Sequence, residues 1–127
     1  MWTILWHKDL GDVDPWREWY LAQNAQVRAR HDVVFDYLLK RQAHEWRKPF
    51  AKSFEGDSIE ITIHTSVQHR LLGVYGPGKM QFSVLVACTH KGPVYDPKDA
   101  KKTLKRRIRE FRDNPSEVMA CERPKRS

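Results

Sequence analysis

The sequence predicts an α+β fold made of an N-terminal strand, a helical hairpin, an antiparallel sheet and a C-terminal helix. Three observations carry that reading. Residues 2–7 set Trp2, Ile4 and Trp6 against Thr3, Leu5 and His7, the two-residue period of a strand. Residues 15–46 place apolar side chains at helical spacing. Three β-type runs then follow between residues 58 and 89, and a last helical segment ends near residue 112.

Each element has a local cause. Gly11 and the aspartates flanking Val13 end the first strand. Asp14 ahead of Pro15 predicts a helix start, because the carboxylate accepts free backbone amides and proline is tolerated in a first turn. Val27, Val34, Phe35, Tyr37 and Leu38 supply the apolar stripe of the hairpin, leaving Arg28, Arg30, Lys40 and Arg41 to solvent. Pro49 closes this region, and Glu55-Gly56-Asp57 reads as a turn. In residues 58–64, Ile59, Ile61 and Ile63 share one face of a strand while Glu60, Thr62 and His64 share the other. Runs 69–75 and 81–89 form a hairpin around Gly76-Pro77-Gly78-Lys79. The second run is apolar on both faces, as a central strand requires. Asp96 is the expected cap of the last helix and Pro97 its first residue, with Ala100, Leu104, Ile108 and Phe111 turned to the sheet. Residues 1–112 thus read as one domain and residues 113–127 as a flexible basic tail.

Composition narrows the class. A chain of 127 residues fits one domain, and 40% hydrophobic residues with five tryptophans argue against global disorder. A net charge of +7 favours an anionic partner. No apolar run approaches the ~20 residues of a membrane span, and the N-terminus reads as a strand rather than a secretory leader. Cys88 and Cys121 lack any paired-cysteine motif, so the reading is a soluble cytoplasmic protein without a disulfide framework. Neither histidines nor cysteines have ligand spacing, and no glycine-rich phosphate loop or nucleophile elbow occurs; the sequence implies no metal and no small-molecule cofactor.

Three segments carry a family resemblance. Residues 52–61, with Lys52, Phe54, Gly56, Ile59, Glu60 and Ile61, have the form K-x-L-x-G-x-L-[YW]-E-L. Residues 69–75, led by His69-Arg70-Leu71-Leu72, match an arginine-led Y-R-V-L-Y strand. Residues 84–91, ending Thr89-His90-Lys91, followed by Asp96-Pro97-Lys98 and a basic helix, match V-L-L-H-G-F-x-K-K-T-x-K-T-P-K without a gap. From about Trp16 to Arg112 the chain resembles the RelE/HigB superfamily of toxins from type II toxin–antitoxin pairs, in its HigB-like, phage-derived branch. The resemblance implies a microbial RNase-type fold, mRNA endoribonuclease (interferase) activity at the ribosome, and neutralisation by a cognate helix-turn-helix antitoxin. The chain departs from the pattern at Thr62, where many relatives carry arginine, and at Gly92-Pro93, where the Lys-Lys pair is cut to one.

The residues themselves support such chemistry. Metal-free RNA cleavage needs a base for the 2′-OH, an acid for the leaving 5′-oxygen and cations for the phosphate. His64 or His90 suits proton transfer and Arg70 suits the phosphate, with Lys91 adding charge and Tyr95 stacking or donating a proton. Arg70 could equally be held in a salt bridge by Glu60. Lys98, Lys101, Lys102, Lys105 and Arg106 are the expected RNA-binding surface. The tryptophans read as core or partner-interface residues. Two alternatives stay open: a non-catalytic, prophage-derived RNA- or ribosome-binding protein of the same fold, and a ParE-like topoisomerase inhibitor.

Overall fold

The first strand, β1 (Thr3–His7), lies inside the sheet, paired on both edges. The computed structural model describes residues 1–124. After β1 come α1 (Pro15–Leu21) and α2 (Ala25–Leu38), then β2 (Ala51–Ser53), β3 (Ile59–His64), β4 (Gln68–Tyr75), β5 (Gln81–Lys91) and β6 (Val94–Asp96). The helix α3 (Ala100–Asp113) and the strand β7 (Val118–Cys121) complete the described chain. The sheet order is β2-β3-β4-β5-β1-β7, with β6 also on β5. At 11 residues, β5 is long enough to pair with β1 along its first part and with β6 along its last.

The sheet is mixed, which corrects the expectation of an antiparallel one. β2 to β6 do alternate, but β1 runs parallel to β5. The helical hairpin intervenes between β1 and the rest, and a crossover of that length permits parallel pairing where a tight turn cannot.

The two faces carry separate cores. Trp2, Ile4, Trp6, Ile61, Ile63, Leu71 and Phe82 meet Val27, Val34, Phe35 and Leu38 of the hairpin. Leu5, Leu72, Val74, Leu85 and Val86 meet Leu104 and Phe111 of α3 on the opposite side. Helices therefore cover both faces. Truncating Leu104 to alanine costs about 2–5 kcal/mol, the range for a buried leucine. The sheet's register shifts between Leu72 and Gly73, and a Cβ on Gly73 would run into the Ser83 carbonyl. Only glycine fits that close approach.

The cap of α1 follows the sequence, that of α2 was not foreseen in it, and that of α3 departs from it. Asp14 accepts from the Arg17 amide, and Asn24 from that of Val27. The last helix, however, begins at Ala100 rather than Pro97, with Asp99 at the cap position and no side-chain bond there. Asp96 is claimed by the sheet, where it pairs with Thr89. The expected tail is also corrected: residues 118–121 form β7 against β1, and Val118 is buried. The end of that expected tail, residues 125–127, lies outside the described residues.

Candidate active site

Strand register brings the candidate residues together. His64 pairs with Gln68, Gln68 with His90, and His90 with Tyr95, so one cross-strand row runs over β3, β4, β5 and β6. Residues directly opposite in a sheet project to the same face. This face is the one α3 covers, beyond that helix's N-terminal end. The next row inward is Thr62, Arg70 and Cys88. The turn 64–68 and the turn after Lys91 wall a cleft of about 460 Å3 lined by His64, Gln68, Arg70, His90 and Lys91 among others. Gly92, in the loop joining β5 to β6, has φ 59°, the left-handed region that favours glycine. The turn thus accounts for a glycine at that position.

Beneath the cleft sits a buried charge. Glu60 is fully out of solvent, and its Oε1 meets Arg70 Nη1 at 3.0 Å, an ion pair whose angle falls short of a hydrogen bond. The Thr62 hydroxyl donates to Glu60 Oε2 at 2.6 Å, and Lys52 stands 4.0 Å from the same oxygen. Arg70 Nη2 donates to Gln68 Oε1 at 2.7 Å and Nη1 to the Tyr95 hydroxyl at 3.3 Å. The Gln68 amide nitrogen reaches His64 Nδ1 at 3.4 Å. A polar chain thus runs Glu60, Arg70, Gln68, His64. Arg70 lines the cleft and is also held in the salt bridge that the sequence left open as its other role.

His90 lines the opposite wall, and Tyr95 backs it. Their rings stack with centroids 4.2 Å apart and planes 20° from parallel. Lys101 Nζ lies 5.3 Å from the Tyr95 centroid, which places a cation beside the stacked pair. His90 is held below the ordinary imidazole range, by burial first and then by the positive charge of Arg70. It is therefore neutral at pH 7. Burial also pushes the neighbouring Cys88 thiol up to about 11, leaving it protonated and a poor nucleophile.

The cations of the last helix are less free than their number in the sequence suggests. Lys101 and Lys105 both reach Glu55, at 3.5 and 3.8 Å, and Arg106 pairs with Glu110 at 3.7 Å. Arg107 is turned inward, donating to the Leu85 carbonyl at 2.8 Å. Lys98 precedes the helix and is exposed, as is Lys102 within it. Of these residues Lys101 lies over the Tyr95 ring that backs His90.

Gln68 was not singled out in the sequence, although it links Arg70 to His64. A register for the turn at 65–67 would have found it, since pairing His64 with residue 68 follows from a three-residue loop. Among the described residues no three His, Cys, Asp or Glu side chains stand close enough to hold a metal ion, and no helix is long and apolar enough to cross a membrane. No family model matches the chain, and no curated protein or solved structure shows significant similarity to it. The class defined by the fold is α+β, with a mixed seven-stranded sheet between a helical hairpin and a third helix.

Proposed function

We propose that the chain is a metal-independent endoribonuclease of the RelE/HigB toxin type, acting on mRNA at the ribosome in the cytoplasm and restrained by an antitoxin. The observation that carries this reading is the row of His64, Gln68, His90 and Tyr95 across four adjacent strands, with Arg70 directly behind it. Neutral His90 takes the proton from a ribose 2′-OH as that oxygen attacks phosphorus. The P–O5′ bond then breaks, and His64 supplies the proton of the departing 5′-oxygen. Arg70 and Lys91 stabilise the charge that builds on the phosphate. The products are a 2′,3′-cyclic phosphate and a 5′-hydroxyl.

The test is cleavage of mRNA by purified protein with EDTA present, with and without translating ribosomes. Wild type should cut and arrest growth when expressed without a partner. His90→Ala and His64→Ala should each lower the rate by roughly 10²–10⁴-fold, the worth of one positioned acid or base. Cutting that survives both changes sinks the assignment.

One observation favours a second reading, a non-catalytic RNA-binding module of the same fold. Arg70 already has Glu60, Gln68 and Tyr95 as partners, so it must exchange one of them to grip a phosphate. Under that reading wild type binds RNA and never cleaves it.

A further inference from the structure

A second cationic surface lies outside the cleft, on α2 and the connector that leads from it to β2. Arg41 Cζ stands 3.9 Å from the Tyr37 ring centroid, and Tyr37 stacks on Phe50 at 4.2 Å with planes 25° apart. Arg30 Cζ then lies 5.5 Å from the Phe50 centroid. Guanidinium, ring, ring and guanidinium follow one another as a ladder whose members are all half-buried. Lys40, Arg47 and Lys48 flank it and are exposed.

Two further features mark this ladder. Its cations lack acidic partners: among the described residues, none of Arg30, Lys40, Arg41, Arg47 and Lys48 forms an ion pair, unlike Lys101, Lys105 and Arg106 on α3. Glu45, the only acid within 37–50, turns back onto the Gln42 amide at 3.1 Å. The connector is also fixed in place. The Trp2 indole donates to the Arg41 carbonyl at 2.6 Å, the Trp46 indole to that of Leu38 at 3.0 Å, and the Tyr37 hydroxyl to that of Glu45 at 3.2 Å. Buried indoles spend their only donors holding this backbone, so its cations are presented in a set arrangement.

The ladder packs on the hairpin side of the sheet, opposite the face that carries the cleft, and the two surfaces meet around the edge strand β2. The Phe50 carbonyl accepts from the Thr62 amide at 3.0 Å, which sets Phe50 level with Thr62, two residues from His64. Strand rise and strand spacing put the Phe50 and His64 backbones on the order of 10 Å apart.

We infer that this ladder and its flanking lysine and arginine side chains are a second contact for single-stranded RNA, holding the strand that leads away from the cleft. The inference rests on the RNA reading proposed above and adds where the flanking strand binds. Uncompensated cations meet phosphates, and the outer face of a guanidinium offers a base a plane to stack on. An anionic membrane fits less well, because no large hydrophobic residue within 37–50 is exposed for insertion.

The experiment measures binding of a fluorescein-labelled oligouridylate to the full chain at several salt concentrations. Arg47→Glu with Lys48→Glu, two exposed changes, should weaken binding tenfold or more while the melting temperature holds. Arg41→Ala should weaken it too, and each lost phosphate contact should flatten the salt slope by about 0.7. Unchanged affinity in the charge-reversed variant overturns the inference, as does equal loss of binding to phosphatidylserine vesicles or to a polyglutamate peptide. The two proposals separate cleanly: a wild type that never cleaves but loses RNA on these changes removes the nuclease and keeps the strip. Cleavage with unaltered binding does the reverse.

Discussion

Glu60 and Arg70 oppose each other diagonally across β3 and β4 at 3.0 Å, with the carboxylate fully buried and the guanidinium side chain 10% exposed. Such a pair sits in low dielectric, where its attraction is strong and the loss of either partner leaves the other uncompensated. Glu60→Ala and Arg70→Ala should therefore each destabilise the fold by about 3–5 kcal/mol. Replacing both, as Glu60→Leu with Arg70→Met, should recover most of that loss. Urea denaturation of the four proteins decides it; additive losses in the double variant would mean the two side chains act independently.

His90 should set the acid limb of the cleavage profile. Its folded-state pKa lies below 6.5, lowered by burial and then by Arg70. A base must be neutral to work, so the rate should hold at pH 7 and fall only as pH drops below the ordinary imidazole range. Removing the adjacent positive charge, as in Arg70→Gln, should move that fall to higher pH, because the second cause of the depression is gone. A limb that stays put in Arg70→Gln, or that lies above 6.5 in wild type, would remove His90 from this role.

Truncation separates what the sequence disclosed from what it concealed. Alternation in 58–64 and the apolar run 81–89 were enough to place β3 and β5, and Asp14-Pro15 to place the start of α1, because period and cap chemistry are local. Local signals also put His64, Arg70 and His90 near strand ends. They could not say that Gln68 falls between the two histidines, since register depends on a turn of three residues. Nor could they disclose β7. Residues 118–121 are short, follow a basic helix and carry only Val118 as a buried anchor; their partner, β1, is more than a hundred residues away in sequence. A separation of 78 residues likewise hid the parallel pairing of β1 with β5. A flexible tail would be dispensable. Deleting residues 115–127 should instead expose one edge of β1 and remove the Arg123 contacts to the Asp32 carbonyl and the Asp36 carboxylate, at 2.9 and 2.7 Å. The melting temperature should fall by several degrees, as a loss of 1 kcal/mol or more requires. An unchanged melting curve would return this segment to the status of a tail.

His31 gives the fold a pH dependence of its own. It is fully buried between α1 and α2, packed by Trp16, Tyr20 and Phe35. The Trp16 indole only donates, so its 2.9 Å bond makes His31 Nε2 the acceptor and leaves the ring proton on Nδ1, 3.0 Å from Asp32 Oδ1. Burial lowers its pKa from 6.5 to about 4, outweighing Asp32 and Asp36, which raise it, while Arg123 lowers it further. The unfolded chain thus binds a proton between these values that the folded chain refuses. Stability from this group is complete above pH 6.5 and is lost as pH falls toward 4, by about 3 kcal/mol in all. His7 and His69, also lowered by burial, act in the same direction. His31→Gln keeps an acceptor for Trp16 without a titrating ring. Unfolding free energies at pH 7 and pH 4 should therefore differ less in His31→Gln than in wild type, by roughly that amount, whatever the substitution costs at neutral pH. Equal pH dependence in the two proteins would show that the ring takes up its proton as readily folded as unfolded, which its burial against Trp16 and Phe35 should prevent.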